Sequence, residues 1–170
     1  MTEKSIEERI IEDVKARFPE DIIEAKVQRK SRISLSVKSE KIYDVGLFLR
    51  DKLGFDHIAS VSGVDYITMN EFEVIYYIWS IDNKVLVGLR TKIPRDRPIL
   101  KSLIDLWGGA LYHEREAWEM FGINFLGHPN LSLLLLPEDW DGLPPLRKDF
   151  LLPENPQEKL EEKIKKLSGG

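Results

Sequence analysis

The stretch from Phe125 to Phe150, FLGHPNLSLLLLPEDWDGLPPLRKDF, constrains this chain more than any other part of it. It holds four successive leucines, Leu133 to Leu136, yet sustains neither a helical nor a strand period, and Pro129, Pro137, Pro144 and Pro145 break up any regular ladder. Backbone groups in such a segment have no automatic partners. A structureless stretch of this length inside a compact domain is either functional or disordered, and the apolar content argues against disorder. Two readings follow from the residues: an arm that lays its leucines and Trp140 on another protein, or an arm that folds back on its own domain. Further on, Asn155-Pro156-Gln157-Glu158 has the order N-cap, Pro at N1, Glu at N3, and predicts a short terminal helix with a narrow stripe of Leu160, Ile164 and Leu167.

Upstream of the arm the patterns are regular. Ser5 and Glu8 form a capping box for a helix carrying Ile6, Ile10, Val14 and Phe18, which Pro19 stops. Residues 22–29 and 32–38 read as a hairpin turning at Lys30-Ser31, with Ile33, Leu35 and Val37 alternating against polar neighbours. A second helix is predicted from about Glu40 to Leu53, with Val45, Phe48, Leu49 and Leu53 as its apolar stripe and Gly54 as its stop. Three strands follow: HIASVSGVDYI (57–67), with a bulge expected at Gly63, then FEVIYYIWS (72–80) and KVLVGLRTKI (84–93), the last two joined through Asp82-Asn83. Residues 99–121 have a helical pattern broken at Gly108-Gly109, and residues from Asn124 onward are expected to carry little secondary structure. The order predicts an α+β fold: a mixed or antiparallel sheet with helices packed on it over 1–123, then an extended arm and a terminal helix over 124–170.

Composition excludes several classes of chemistry. The chain has no cysteine, so it cannot hold an iron–sulfur cluster, a cysteine-type zinc site or a disulfide. Its net charge of -4 argues against nucleic acid as the main partner. No apolar run approaches membrane-spanning length, and the charged start, MTEKSIEERI, has no apolar signal region. A link to a membrane is therefore expected only through partners. There is no phosphate-binding glycine motif and no paired-histidine zinc motif among His57, His113 and His128.

Two polar clusters remain. His113-Glu114-Arg115-Glu116 sits beside aromatic residues and reads either as an ionic network where two subunits meet or as a solvated helix face; Arg115 and Glu119, one turn apart, are placed to pair locally. The run from Pro137 to Gly142 places Glu138, Asp139 and Asp141 around Trp140, which fits a capped turn, with acid–base chemistry or a hard cation as the competing reading. A stand-alone enzyme would use His113, Glu114 and Glu138; a free-standing binding module would present the arm to varied partners.

The motifs taken together resemble a known family. His113-Glu114-Arg115-Glu116, Phe121-Gly122-Ile123, Gly127-His128-Pro129, Leu136-Pro137-Glu138-Asp139-Trp140 and Leu146-Arg147-Lys148-Asp149-Phe150 are similar to the signature of the complex I 30 kDa subunit family, the C subunit of the NADH–quinone oxidoreductase. SVSGVDY (60–66), FEVIYYIWS (72–80) and SLIDLW (102–107) match in the same order, so the resemblance covers roughly residues 40–152. It implies a structural subunit that binds no redox centre. Iron–sulfur clusters, and nickel–iron if the complex is a membrane-bound energy-converting hydrogenase, would lie on partner subunits. The implied partners are a [NiFe]-hydrogenase-like large subunit and iron–sulfur subunits. The implied location is peripheral, on the cytoplasmic face of the membrane. The implied interface is His113, Glu114, Arg115, Glu116, His128, Leu134, Leu136, Glu138, Asp139, Trp140, Arg147, Lys148, Asp149 and Phe150. The chain departs from the family pattern at Glu119, where Asp is usual, at Asn130, at Ser132-Leu133 in place of a basic pair, and in the longer run Gly142 to Asp149, which lacks the usual His. These departures point to a divergent branch.

Overall fold

Burial of one face of a mixed sheet under helices organises the chain. The computed structural model describes residues 4–151; the predicted terminal helix after Asn155 lies outside them. Helix α1 (Ile6–Arg17) carries both halves of the capping box: the Glu8 N–H donates to Ser5 Oγ at 3.2 Å and the Ser5 N–H to Glu8 Oε2 at 2.9 Å. Strands β1 (Ile22–Arg29) and β2 (Arg32–Val37) form the expected hairpin, and a 3-10 turn (Ser39–Lys41) leads into α2 (Ile42–Leu53). Gly54 closes α2 at φ +70°. Then come β3 (His57–Tyr66), β4 (Glu71–Ser80) and β5 (Val85–Pro94).

These five strands form one sheet in the order β1-β2-β5-β4-β3, antiparallel throughout except for the parallel pair β2–β5. Ile33, Leu35 and Val37 on β2, Val87 and Leu89 on β5, and Phe72, Val74, Tyr76 and Ile78 on β4 point to one face, where they pack with Ile10 and Val14 of α1, Val45 and Leu49 of α2, and Trp107, Met120 and Phe121. The opposite face carries Ser34, Leu86, Arg90, Glu73, Tyr77 and Trp79. The α+β expectation holds, with a mixed sheet.

Three local expectations are corrected. Residues 99–121 are not helical throughout: Ile99–Lys101 form strand β6, turns follow, and only Ala110–Phe121 form helix α3. Asn124–Leu126, expected to be irregular, form strand β7, which pairs with β6 in parallel. Each three-residue strand exists only because the other is brought alongside it. The bulge in β3 lies between Ile58 and Ser60 rather than at Gly63. Gly63 pairs regularly with Val74, and a Cβ there would lie 2.6 Å from the Phe121 ring. The glycine lets α3 pack close to the sheet; it does not bend the strand.

Candidate functional site

Helix α3 is the seat of the arm. It lies on β3 and closes at Gly122 with φ +78°. Its second turn carries Glu114, whose carboxylate is fully buried and accepts hydrogen bonds from Tyr76 Oη (2.9 Å), Ser102 Oγ (2.5 Å) and the Leu103 N–H (2.8 Å). Burial holds its carboxyl above the usual range, against the pull of those donors. This network fastens α3 to β4 and to the turn after β6. Glu114, expected at a partner interface, lies beneath the surface of this chain, because its three hydrogen bonds all go inward. The solvated-face reading fails for this residue, although Glu116 on the same helix is exposed and His113 half-buried.

Next to Glu114 in sequence, Arg115 faces the arm, as does Glu119 one turn after it. Arg115 Nε donates to the Ser132 carbonyl at 2.5 Å, and Nη2 donates to the Leu133 carbonyl. The buried Glu119 carboxylate accepts three consecutive backbone N–H groups: Leu134 at 2.9 Å, Leu135 at 3.0 Å and Leu136 at 2.8 Å. Burial alone would raise its carboxyl, but those N–H groups and the Arg115 charge outweigh it and hold it below its ordinary value. The expected local pairing of Arg115 with Glu119 is replaced by something more useful. One cation takes carbonyls, one anion takes amides, and together they satisfy a stretch with no ladder of its own. Just before this clamp, the His128 imidazole bridges the Leu111 carbonyl (2.8 Å from Nε2) and the Asn130 N–H (3.1 Å from Nδ1).

Because the clamp uses main-chain groups, the leucine side chains are left to their own directions. Leu136 packs against the core, while Leu134 and Leu135 are exposed. After a turn closed by Trp140 N–H on the Pro137 carbonyl, the Trp140 ring lies 5.9 Å from that of Phe150. Glu138 and Asp139 are exposed on this turn. Among the described residues, no group of three or more His, Asp or Glu side chains is arranged to hold a metal ion. The trio His113, Glu114 and Glu138 pairs a sealed carboxylate with one on the surface.

A second fastening holds the end of the arm. The side chain of Asp65, on the core face of β3, accepts from Arg95 Nε at 2.9 Å and from the Lys148 N–H at 2.7 Å. Arg95 also reaches Asp149 at 2.5 Å, and the Leu146 N–H donates to the Met120 carbonyl at 3.0 Å. The Arg147 guanidinium lies over the Phe72 ring at 5.2 Å. Trp140 Nε1 and Arg147 Nε are buried without a hydrogen-bond partner. Sequence reasoning missed Asp65, Arg95, Tyr76 and Ser102. Asp65 was signalled only by its parity: it follows Val61 and Gly63 on the inward-facing positions of β3, where a carboxylate needs a partner.

Comparison with known proteins identifies the family. Residues 35–156 match the family described as respiratory-chain NADH dehydrogenase, 30 Kd subunit. The F(420)H(2) dehydrogenase C subunit of Methanosarcina mazei is 43% identical over 141 residues, covering 83% of this chain and 89% of that protein. The NADH-quinone oxidoreductase C subunit of Roseiflexus sp. is 41% identical over 146 residues, covering 84% of this chain and 83% of its own length. Among solved structures, a chain of the membrane-bound sulfane sulfur reductase, an archaeal respiratory membrane complex, superimposes with a TM-score of 0.76 at 25% identity, covering 93% of this chain and 91% of that one. A trypsin-resistant fragment of Nqo5 superimposes with a TM-score of 0.61 at 27% identity, covering 73% and 98%. This chain belongs to the 30 kDa subunit family of the respiratory-chain NADH dehydrogenase.

Proposed function

We propose that this chain is a non-catalytic subunit in the peripheral part of a membrane-associated, ion-translocating electron-transfer complex, and that it docks there through its C-terminal arm. The observation that carries the reading is the clamp on the arm. Arg115 and Glu119 hold residues 132–136 by the backbone alone, which leaves Leu134 and Leu135 exposed in a fixed register. Leu143, Leu146 and Leu151 extend the exposed apolar surface along the same arm. Preorganised apolar groups on a satisfied backbone are what a partner-facing surface needs, because little ordering entropy remains to be lost on docking. Among the described residues no helix is long and apolar enough to cross a membrane; the proposed attachment to the membrane runs through partners.

The partner proposed for the arm is the subunit that resembles a [NiFe]-hydrogenase large subunit, flanked by iron–sulfur subunits that carry the redox centres. Nickel has no support from the relatives described above, which are a dehydrogenase, an oxidoreductase and a sulfur reductase. An F420H2- or quinone-linked reductase is therefore favoured over a hydrogenase. The free-standing module is the competing class. A tagged pull-down from native membranes in mild detergent, with mass spectrometry and metal analysis, separates them. Fixed stoichiometry with iron-containing subunits and no nickel is expected; recovery of the chain alone would overturn the reading. Trp140→Ala should weaken assembly by about 2 kcal/mol if the ring fills a partner pocket, and an unchanged yield of complex would refute that role.

A further inference from the structure

One end of the sheet carries a feature that the described residues of the arm do not use. On the face away from the helices, cross-strand pairing lines up Arg29, Arg32, Leu86, Trp79 and His57, one residue from each of the five strands. With strands about 4.8 Å apart, the row is about 19 Å long. Arg29, Lys30, Ser31, Arg32, Trp79 and Leu86 line a single shallow depression there. The hairpin turn is rigid at its tip: Ser31 sits at φ +59°, its N–H donates to Glu7 at 2.6 Å and its carbonyl accepts from the Leu86 N–H at 2.9 Å.

The charges in this row make no sense for folding alone. Arg29 and Arg32 are direct cross-strand neighbours, an arrangement of like charges that destabilises a sheet. Among the described residues no carboxylate forms an ion pair with Arg29, Lys30 or Arg32. Glu7 approaches the turn and feels the Lys30 charge, but it is buried and its carboxylate is engaged chiefly by the Ser31 N–H, so Arg29 and Arg32 keep their charge uncompensated. This is a cationic corner on a chain whose net charge is -4. Beside it, Leu86 and Trp79 place partly exposed apolar surface on the same face. Guanidinium pairs recognise carboxylates bidentately, and an apolar floor beside them selects an anionic segment that also carries an apolar side chain.

We propose that this row is a second docking surface, and that its occupant is an acidic polypeptide segment of a neighbouring subunit. The segment lies across the strands with its carboxylates on Arg29 and Arg32 and an apolar side chain on Leu86 and Trp79. The proposal rests on the reading of this chain as part of a larger complex, but among the described residues it uses a face the arm does not touch.

Zero-length carbodiimide coupling on the purified native complex tests it, because Lys30 supplies an amine at the site and Lys148 one on the arm. The expected result is a Lys30 crosslink to an Asp or Glu of another subunit, weakened by raising salt and lost in Arg29→Glu/Arg32→Glu. The double variant should retain the fold by circular dichroism, because both residues lie at the hairpin end, and its retention in the complex at moderate salt should fall about tenfold. Three results would overturn the proposal: Lys30 coupled only within its own chain while Lys148 crosslinks persist, unchanged retention of the double variant, or binding of the chain to phosphatidylglycerol vesicles through the same arginines in place of a protein crosslink. Loss of every intersubunit crosslink, from Lys148 as well as Lys30, would instead refute membership of a complex, and the second surface with it.

Discussion

Replacing Glu119 by Ala should free the arm while leaving the domain folded. Its carboxylate is the acceptor for the N–H groups of Leu134, Leu135 and Leu136 at 2.8–3.0 Å, and it is buried. Hydrogen bonds to an ionised group contribute about 1.5–3 kcal/mol each, and three would sum to well above 4 kcal/mol. The released amides can reach water once the strip peels from α3, so the loss falls below that sum, on the order of 3–4 kcal/mol. That corresponds to two to three powers of ten in the opening equilibrium. Amide hydrogen exchange reads this directly: protection at residues 134–136 should collapse by about that factor, while the amides of β4 and β5 keep theirs. The acid dependence follows from the depressed carboxyl of Glu119. A carboxyl held lower in the folded state stabilises the arm fully above its unfolded value, and that contribution is lost as pH falls through the folded value. Arm protection in the native chain should therefore fade on acidification, and in Glu119→Ala it should lack this step. Unchanged protection at 134–136, or a loss that spreads through the sheet, would refute the claim that Glu119 acts on the arm alone.

Other substitutions test the rest of the seat. Gly63→Ala places a Cβ 2.6 Å from the Phe121 ring and should cost about 1–3 kcal/mol by overpacking; an unchanged melting temperature would show that α3 does not press on β3. Glu114→Gln removes a carboxyl that burial raises. A raised folded value means the acid form is favoured by folding, so native stability falls as pH climbs from the ordinary carboxylate value through the raised one, and the Gln variant should lack that decline in thermal melts at increasing pH. Asp65→Asn removes the charge that engages Arg95 and the Lys148 N–H and should increase exchange at residues 146–150 without affecting 134–136; simultaneous loss at both would mean the arm has one fastening, not two.

The residues of this chain determined a good deal by themselves. Capping by Ser5 and Glu8, the Lys30-Ser31 hairpin, the alternation of Ile33, Leu35 and Val37, and the stop at Gly54 are local signals, and all reappear in the structure. The motif run from His113 to Phe150 was enough to identify the family, because sequence order survives where geometry is invisible. Tertiary structure decided whatever depended on distant partners. Ile99–Lys101 and Asn124–Leu126 are too short to stand as strands alone and exist only through each other. Gly63 looked like a bulge because a glycine in a strand has two causes, and only the approach of Phe121 distinguishes them. Arg115 and Glu119, one turn apart, had the spacing of a surface ion pair, and the arm's unpaired backbone drew them off instead. The two sequence readings of the arm turned out not to exclude one another. Its backbone is folded back on α3 and on Asp65, because buried N–H and carbonyl groups must find partners. Side-chain direction is set separately, and it leaves Leu134 and Leu135 pointing away from the chain that holds them.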